Sequence, residues 1–230
     1  MLELKLQEKL LSAVRARLDL AGASLSDSYY YSSLSLCVID SMFSIGVKYT
    51  SVKRVVSRVV ERIGIEPDRR KQEKDTMPLQ KFVEIAKKVG LKALFCNAQR
   101  TSPRGGILKS EAAVLAAQAL MGVGIQTICD FQHCNDLEKA EKAFRQVTGQ
   151  KSGISWSYLR MLAGDDNQVK PDRHILRFLK SAMDREVTPF EATKLIQETA
   201  EQLSSEFNNM TPRLLDHEIW KYESQAKRQR

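Results

Sequence analysis

Asp172 is the one carboxylate in the basic stretch VKPDRHILRF, residues 169–178. Pro171 disfavours helical geometry at Lys170, so we expect a helix to begin close to Asp172. The positive end of a helix favours an ionised carboxylate at this place. Such a group can stabilise an oxocarbenium-like transition state or direct a water molecule, as in glycoside hydrolysis. The alternative is an aspartate that only caps its own helix, which is the commoner use of this residue type.

A glycine-bearing turn suggests a second kind of chemistry, the binding of a phosphate. Residues 135–147 have a helical pattern, TGQKSG follows at 148–153, and a second helix, ISWSYLRML, comes next. A tight turn ahead of a helix presents backbone N–H groups and the positive helix end to a phosphate oxygen. Gly149 permits the turn and a close backbone approach, while Gln150 and Lys151 could add side-chain contacts. The candidate phosphate-binding residues are Thr148, Gly149, Gln150, Lys151 and Gly153. An ordinary helix–turn–helix connection is the alternative.

The cysteines do not favour metal or disulfide chemistry. The four residues, Cys37, Cys96, Cys129 and Cys134, lack paired spacing and suit reduced thiols. CDFQHC at 129–134 places two of them around His133, but no second pair of ligands is close in sequence. We therefore expect free thiols, no metal site and no cofactor.

Composition and charge indicate what kind of partner the protein binds and in which compartment it acts. A formal net charge of +8 and a pI near 9.3 favour a polyanionic partner. No run approaches the roughly 18 apolar residues of a membrane span. The N-terminal residues mix charged and apolar side chains, as in an amphipathic helix rather than a signal peptide. We therefore expect a cytoplasmic protein without a membrane partner.

Helices must position the candidate residues, because helical periodicity dominates and few segments alternate like strands. About ten helices with short connections predict an all-α protein. The first six predicted helices are 2–20, 33–45, 51–63, 77–89, 110–121 and 135–147. The residues that predict helix starts are Ser110, Asn135 with Glu138, and Thr188 with Pro189 and Glu191.

The hairpin and the Asp172 segment together resemble the helix–hairpin–helix (HhH-GPD) DNA glycosylase superfamily, which includes endonuclease III and the 3-methyladenine glycosylases. The family hairpin reads approximately L-P-G-V-G, and the corresponding residues 147–151 read VTGQK. Without a gap, the following helix matches through to Gly164. One loop later the family carries its catalytic aspartate in a segment like V-D-T-H-I-F-R-V, and this chain has PDRHILRF. The matching residues are Asp172, His174, Ile175 and Arg177.

The resemblance implies a two-lobed helical fold, with DNA and an extruded base in a cleft between the lobes. One lobe would cover residues 29–168 and contain the helix–hairpin–helix at about 135–163. The other would combine the two termini, residues 1–28 and 169–230. The likeness extends over about residues 30–180.

The resemblance also assigns roles to single residues. Asp172 takes the catalytic place. Family members with lyase activity carry a lysine where this chain has Gly153, so we expect no lyase step. An iron–sulfur cluster would need four late cysteines, and none follows Cys134. The residues expected to line the base pocket or contact DNA are Tyr30, Ile45, Lys48 and His174, for which interior packing or a solvated helix face is the alternative.

The implied function is hydrolysis of the N-glycosidic bond of a damaged or modified base that has been flipped out of double-stranded DNA. We expect a monomeric, monofunctional DNA glycosylase acting in base excision repair or in defence against modified viral DNA, and associated with the nucleoid if the source is bacterial. A non-catalytic helix–hairpin–helix DNA-binding protein is the alternative, and a helical adaptor is a third reading. The base itself is not indicated, because pocket side chains come from several helices.

Overall fold

The computed structural model describes residues 2–26, 29–68 and 74–226. Across these ranges the chain forms twelve α-helices and no strand, with isolated bridges joining Tyr31 to Asp68 and Arg100 to Leu108. The predicted all-α class is confirmed. The helices are α1 (Leu2–Arg17), α2 (Leu34–Phe43), α3 (Tyr49–Ile63), α4 (Leu79–Val89), α5 (Leu91–Phe95), α6 (Lys109–Met121), α7 (Ile128–Gln132), α8 (Leu137–Arg145), α9 (Ile154–Ala163), α10 (Arg173–Met183), α11 (Pro189–Leu203) and α12 (Pro212–Ala226). None of these described helices is long and apolar enough to cross a membrane.

The helices fall into two compact units. The terminal unit consists of Met1–Leu25 and Asp165–Arg230, and the central unit is Ser26–Gly164. The unit boundaries lie at 25/26 and 164/165, and the family resemblance predicts lobe boundaries at 28/29 and 168/169. The hairpin therefore belongs to the central unit, and Asp172 belongs to the terminal unit.

The central unit is built around α2, in which all ten residues are buried. A helix that is apolar on nearly every side is stable only when neighbours enclose it. Helices α6 and α9 pack directly against α2, together with α3. Alanines dominate the buried face of α6, at positions 112, 113, 116 and 117. Their small side chains allow the backbones of α2 and α6 to approach closely.

The terminal unit has its own core, formed by α1, α10, α11 and α12. Helix α10 packs against both α12 and α1. The fully buried side chains include Leu10, Val14, Phe178, Leu179, Ile196 and Leu215. These helices are amphipathic, so each presents one apolar face to this core. The loop that precedes α10 is anchored by Val169, which is also fully buried.

Two predicted helix starts are wrong by one or two residues. Helix α6 begins at Lys109 after Leu108, not after a Ser110 cap, and Ser110 is buried in its first turn. The N-cap of α8 is Asp136 rather than Asn135, because the Asp136 side chain accepts from the Lys139 N–H at 2.9 Å. The start of α11 is confirmed: the Thr188 side chain caps it, with Pro189 following.

Candidate active site

Asp172 is the N-cap of α10. Its backbone is extended, with φ −86° and ψ −177°, as is typical of an N-cap residue. Its Oδ1 accepts a hydrogen bond from the backbone N–H of His174 at 2.7 Å. The Asp172 N–H in turn donates to the carbonyl of Lys170 at 2.6 Å. The Asp172 carboxylate is thus held in place by its hydrogen bond to the first turn of α10.

The ring of His174 faces the same carboxylate. Its Nδ1 lies 3.3 Å from Asp172 Oδ1 and 3.4 Å from Oδ2. Burial alone would raise the pKa of Asp172, but hydrogen bonds from His174 and the charge of Lys170 outweigh it, so the pKa is lowered overall. The Asp172 side chain keeps 25% exposure and that of His174 keeps 12%. The result is an ionised carboxylate that a ligand can reach.

A second carboxyl group, Asp216 on α12, lies close to this aspartate. It is 5% exposed, and its Oδ1 accepts from the backbone N–H of Lys170 at 3.2 Å. Burial and the negative charge of Asp172 raise the pKa of Asp216 well above its usual range. Sequence reasoning missed this residue. The available signal was an acidic residue inside the apolar run LLDHEIW, where Leu215 and Ile219 are buried.

Helices α11 and α12 hold the loop that leads to Asp172. Arg213, 3% exposed, donates from its backbone N–H to the Asp166 carbonyl at 3.0 Å and from Nη1 to Asp166 Oδ1 at 3.1 Å. The Gln197 amide donates to the Asn167 carbonyl at 2.9 Å. The loop is therefore fixed near both of its ends, at Asp166 by Arg213 and at Lys170 by Asp216.

The predicted hairpin is a compact turn between α8 and α9. Gly149 has φ +90° and Gly153, the N-cap of α9, has φ +78°, both in the left-handed region that favours glycine. The turn is closed by the Gln150 N–H donating to Val147 at 3.0 Å and by the Gly153 N–H donating to Gln150 at 3.2 Å. Two glycines thus make the bend, as the TGQKSG pattern indicated.

The hairpin side chains differ in their access to solvent. Thr148 and Lys151 are exposed, and Lys151 is also fixed through its carbonyl, which accepts from Arg145 Nη2 at 2.6 Å. Gln150 is only 1% exposed. The expectation that its side chain adds a surface contact is therefore wrong, because the amide turns into the unit. Its amide atoms have no hydrogen-bond partner among the described residues.

The base-pocket candidates of the central unit lie around the start of α2 and the turn after it. Tyr30 is half-buried, Ile45 is half-buried, and Lys48 is exposed. Lys109 stabilises this turn. Its side chain is buried, with 2% exposure, and its Nζ donates to the carbonyls of Phe43 at 3.0 Å and Ile45 at 2.6 Å. The buried Lys109 thus fixes the conformation of the turn, on which Ile45 is half-buried and Lys48 is exposed.

Helix α3 of the same unit carries a basic face. Its exposed cations are Lys53, Arg54, Arg58 and Arg62, and Lys48 precedes the helix as its N-cap. Within the described part of the chain none of these five forms an ion pair, although Arg58 donates to the Cys96 carbonyl at 3.1 Å. The net charge of +8 is thus partly concentrated on one helix.

The four cysteines all lie in the described ranges, and none of them forms a disulfide. Cys129 Sγ lies 3.6 Å from Nδ1 of His133, the C-cap residue of α7. Among the described residues no group of three histidine, cysteine or carboxylate side chains is arranged to hold a metal ion.

A family model matches residues 8–224, which is nearly the whole chain. The chain belongs to the family described as "Domain of unknown function (DUF8548)". Neither curated proteins nor solved structures gave a match. The DUF8548 match spans both units and includes the hairpin, Asp172 and Asp216. These candidate residues therefore lie inside the family's own domain and not in an appended segment.

The structure brings some of the predicted residues together. Asp172 and His174 are in contact in the terminal unit. The hairpin glycines, Tyr30, Ile45 and Lys48 all belong to the central unit of the DUF8548 domain. Chemically, the terminal unit offers an oriented, ionised carboxylate, and the central unit offers a glycine turn at a helix N-terminus and a row of cations.

Proposed function

We propose that this DUF8548 protein is a DNA glycosylase of the helix–hairpin–helix kind, which hydrolyses the N-glycosidic bond of a base flipped out of double-stranded DNA. The single observation that carries the proposal is Asp172: an ionised, one-quarter exposed carboxylate oriented by His174. A carboxylate whose pKa is held low stays charged at neutral pH, as is needed to stabilise positive charge that develops on a sugar.

The proposed reaction uses Asp172 as the stabilising and water-directing group. As the bond between C1′ and the base breaks, the bonding electrons leave with the base and positive charge develops on the sugar. The Asp172 carboxylate lies against this charge and accepts the hydrogen bond of a water molecule. The water oxygen then bonds to C1′ and gives one proton to the Asp172 carboxylate, which releases it to solvent, while the departing base takes up a proton from solvent. An abasic site and a free base are the products.

DNA binding is supported by features of the central unit. The first turn of α9 follows Gly149 and Gly153, so its backbone N–H groups and positive end suit a phosphate. Thr148 and Lys151 are exposed beside it. The α3 cations suit further phosphates. Gly153 stands at the place of the family's lyase lysine, which supports a monofunctional enzyme. We propose that it acts as a monomer.

The first test is base release measured by mass spectrometry. Undamaged, alkylated, deaminated, oxidised and phage-modified DNAs would be incubated with the wild type and with Asp172→Asn. A base released only by the wild type is the expected result, and its identity would distinguish repair of damage from defence against modified viral DNA. Release by Asp172→Asn at the wild-type rate would overturn the assignment.

One observation favours a second candidate function, a non-catalytic DNA-binding protein. Asp172 already accepts the His174 N–H as an ordinary helix cap does, so the residue has a structural use without any turnover. For that function the whole DNA panel would give no free base, while salt-sensitive binding to double-stranded DNA would persist. DNA binding would then depend on the hairpin but not on Asp172.

A further inference from the structure

Asp216 and Asp172 are joined by a short chain of hydrogen bonds. Asp216 Oδ1 accepts from the Lys170 N–H at 3.2 Å. The Lys170 carbonyl accepts from the Asp172 N–H at 2.6 Å. Asp172 Oδ1 accepts from the His174 N–H at 2.7 Å. Each bond fixes the next group, so the position of Asp172 depends on a side chain of α12 that lies 44 residues further along the chain.

We infer that Asp216 is a positioning residue, which holds the Lys170–Asp172 segment through its bond to the Lys170 N–H and so keeps the Asp172 carboxylate in place. Pro171 interrupts this segment and has no N–H of its own. Lys170 precedes α10, so no bond within that helix orders its backbone, and its part-buried N–H takes an acceptor from another helix. Asp216 supplies that acceptor from a rigid helix.

Asp216 is suited to positioning because it is buried, with 5% exposure, and its surroundings favour a neutral carboxyl group. Three charged groups act on it: Asp172, Lys170 and Arg213. Burial and Asp172 raise its pKa, while the Lys170 N–H, the Lys170 charge and Arg213 lower it, with a net rise. Because Asp172 has a lowered pKa, the pair ionises in order, Asp172 first. A neutral Asp216 can accept from Lys170 without repelling Asp172.

Two substitutions separate positioning from chemistry. Asp216→Asn keeps a neutral carbonyl oxygen of the same shape, so the bond to Lys170 persists. Asp216→Ala removes the carboxyl oxygen that accepts from the Lys170 N–H. Glu218→Gln is the matched control, since Glu218 is a 3% exposed carboxylate on the same helix that pairs with Lys221. Circular dichroism would verify that each variant is folded.

The first readout is amide hydrogen exchange at Lys170 and Asp172, which does not depend on any activity. Asp216→Ala should raise both exchange rates about tenfold or more, whereas Asp216→Asn and Glu218→Gln should change them less than about threefold. Unchanged exchange in folded Asp216→Ala would overturn the inference. If Asp216→Ala does not fold, Asp216→Asn decides the question. An exchange rate about tenfold above wild type in Asp216→Asn would then overturn the inference.

The second readout rests on the proposed glycosylase function. Single-turnover base release should fall roughly 10- to 100-fold in Asp216→Ala, with DNA affinity within about twofold of wild type, because a small displacement of a catalytic group costs this much. Asp216→Asn should retain most of the rate, and an equal loss in both variants would instead make Asp216 a proton donor or base. If the wild type releases no base, the proposed function fails, while hydrogen exchange still decides whether Asp216 positions the segment.

Discussion

Gly149 of the hairpin lies directly against Thr101. A Cβ on Gly149 would come within 2.6 Å of Thr101 Cβ and 2.8 Å of its Oγ1. Real Cβ atoms do not approach so closely, and the φ of +90° adds strain for any side chain. The glycine that the hairpin pattern requires is thus fixed by two independent constraints, the bend of the turn and its packing on the loop at Thr101.

Gly149→Ala should therefore destabilise the central unit. We expect a loss of about 2–4 kcal/mol in the free energy of unfolding, measured by chemical denaturation, from backbone strain together with overpacking. Gly124→Ala is the control, because Gly124 has φ +85° but a Cβ there would meet nothing within 4 Å. It should cost only the strain, about 1–2 kcal/mol. Equal losses of unfolding free energy in the two variants would show that Thr101 moves aside without an energetic penalty.

The helices were largely predictable because their signals are local. Apolar periodicity located α2, α3, α4 and α6 to within two residues, and Thr188 with Pro189 marked the start of α11. Helices α5 and α7 were missed. Each has five residues, which is too short to show a period of 3.6. At α8 the predicted cap, Asn135, is wrong by one residue, because the adjacent Asp136 is an equally good capping residue type.

Buried polar groups were not predictable in the same way. Asp216, Lys109 and Gln150 are polar residues in sequence, and polar residues are usually solvent-exposed. Their burial depends on partners far along the chain, such as Lys170 for Asp216 and the Phe43 carbonyl for Lys109. The sequence pattern therefore indicated Asp172 and the hairpin, whereas the residues that support them became visible only in three dimensions.

The two roles of Asp172, helix cap and catalytic group, can be separated by a pair of substitutions. Asp172→Asn should lower the unfolding free energy by less than about 0.5 kcal/mol, since asparagine caps as well as aspartate, and Asp172→Ala by about 1 kcal/mol. Both should abolish base release, because neither carries a charge. Chemical denaturation and single-turnover assays would be run on the same samples. If Asp172→Asn keeps both its stability and its base release while Asp172→Ala loses both, Asp172 has only the capping role.

The basic face of α3 should determine part of the salt dependence of DNA binding. Lys48 and Arg54 are exposed cations there. The double variant Lys48→Gln/Arg54→Gln should reduce the slope of log K against log salt by about 2, because two phosphate contacts and their released counterions are lost. Lys87→Gln/Lys88→Gln on α4 removes the same charge from another exposed site and should leave the slope nearly unchanged. Equal slopes for the two double variants would mean that only net charge matters.

His217 of the terminal unit should make stability depend on pH. It stacks on Trp220 with ring centroids 5.9 Å apart, and burial, assisted by the charges of Lys221 and Arg213, lowers its pKa from 6.5 to about 4. Above pH 6.5 the histidine is neutral in both the folded and the unfolded chain. As the pH falls from 6.5 towards 4, the unfolded chain binds a proton that the folded chain does not, so stability is lost in that window.

The expected loss between pH 7 and pH 5 is about 1 kcal/mol, after a reduction for partial solvent screening. His217→Phe keeps an aromatic ring beside Trp220 but does not titrate. The difference in unfolding free energy between pH 7 and pH 5 should therefore be smaller in this variant by about that amount. Urea denaturation of both proteins at the two pH values measures it. An identical pH dependence in His217→Phe would show that His217 is protonated in the folded protein as readily as in the unfolded one.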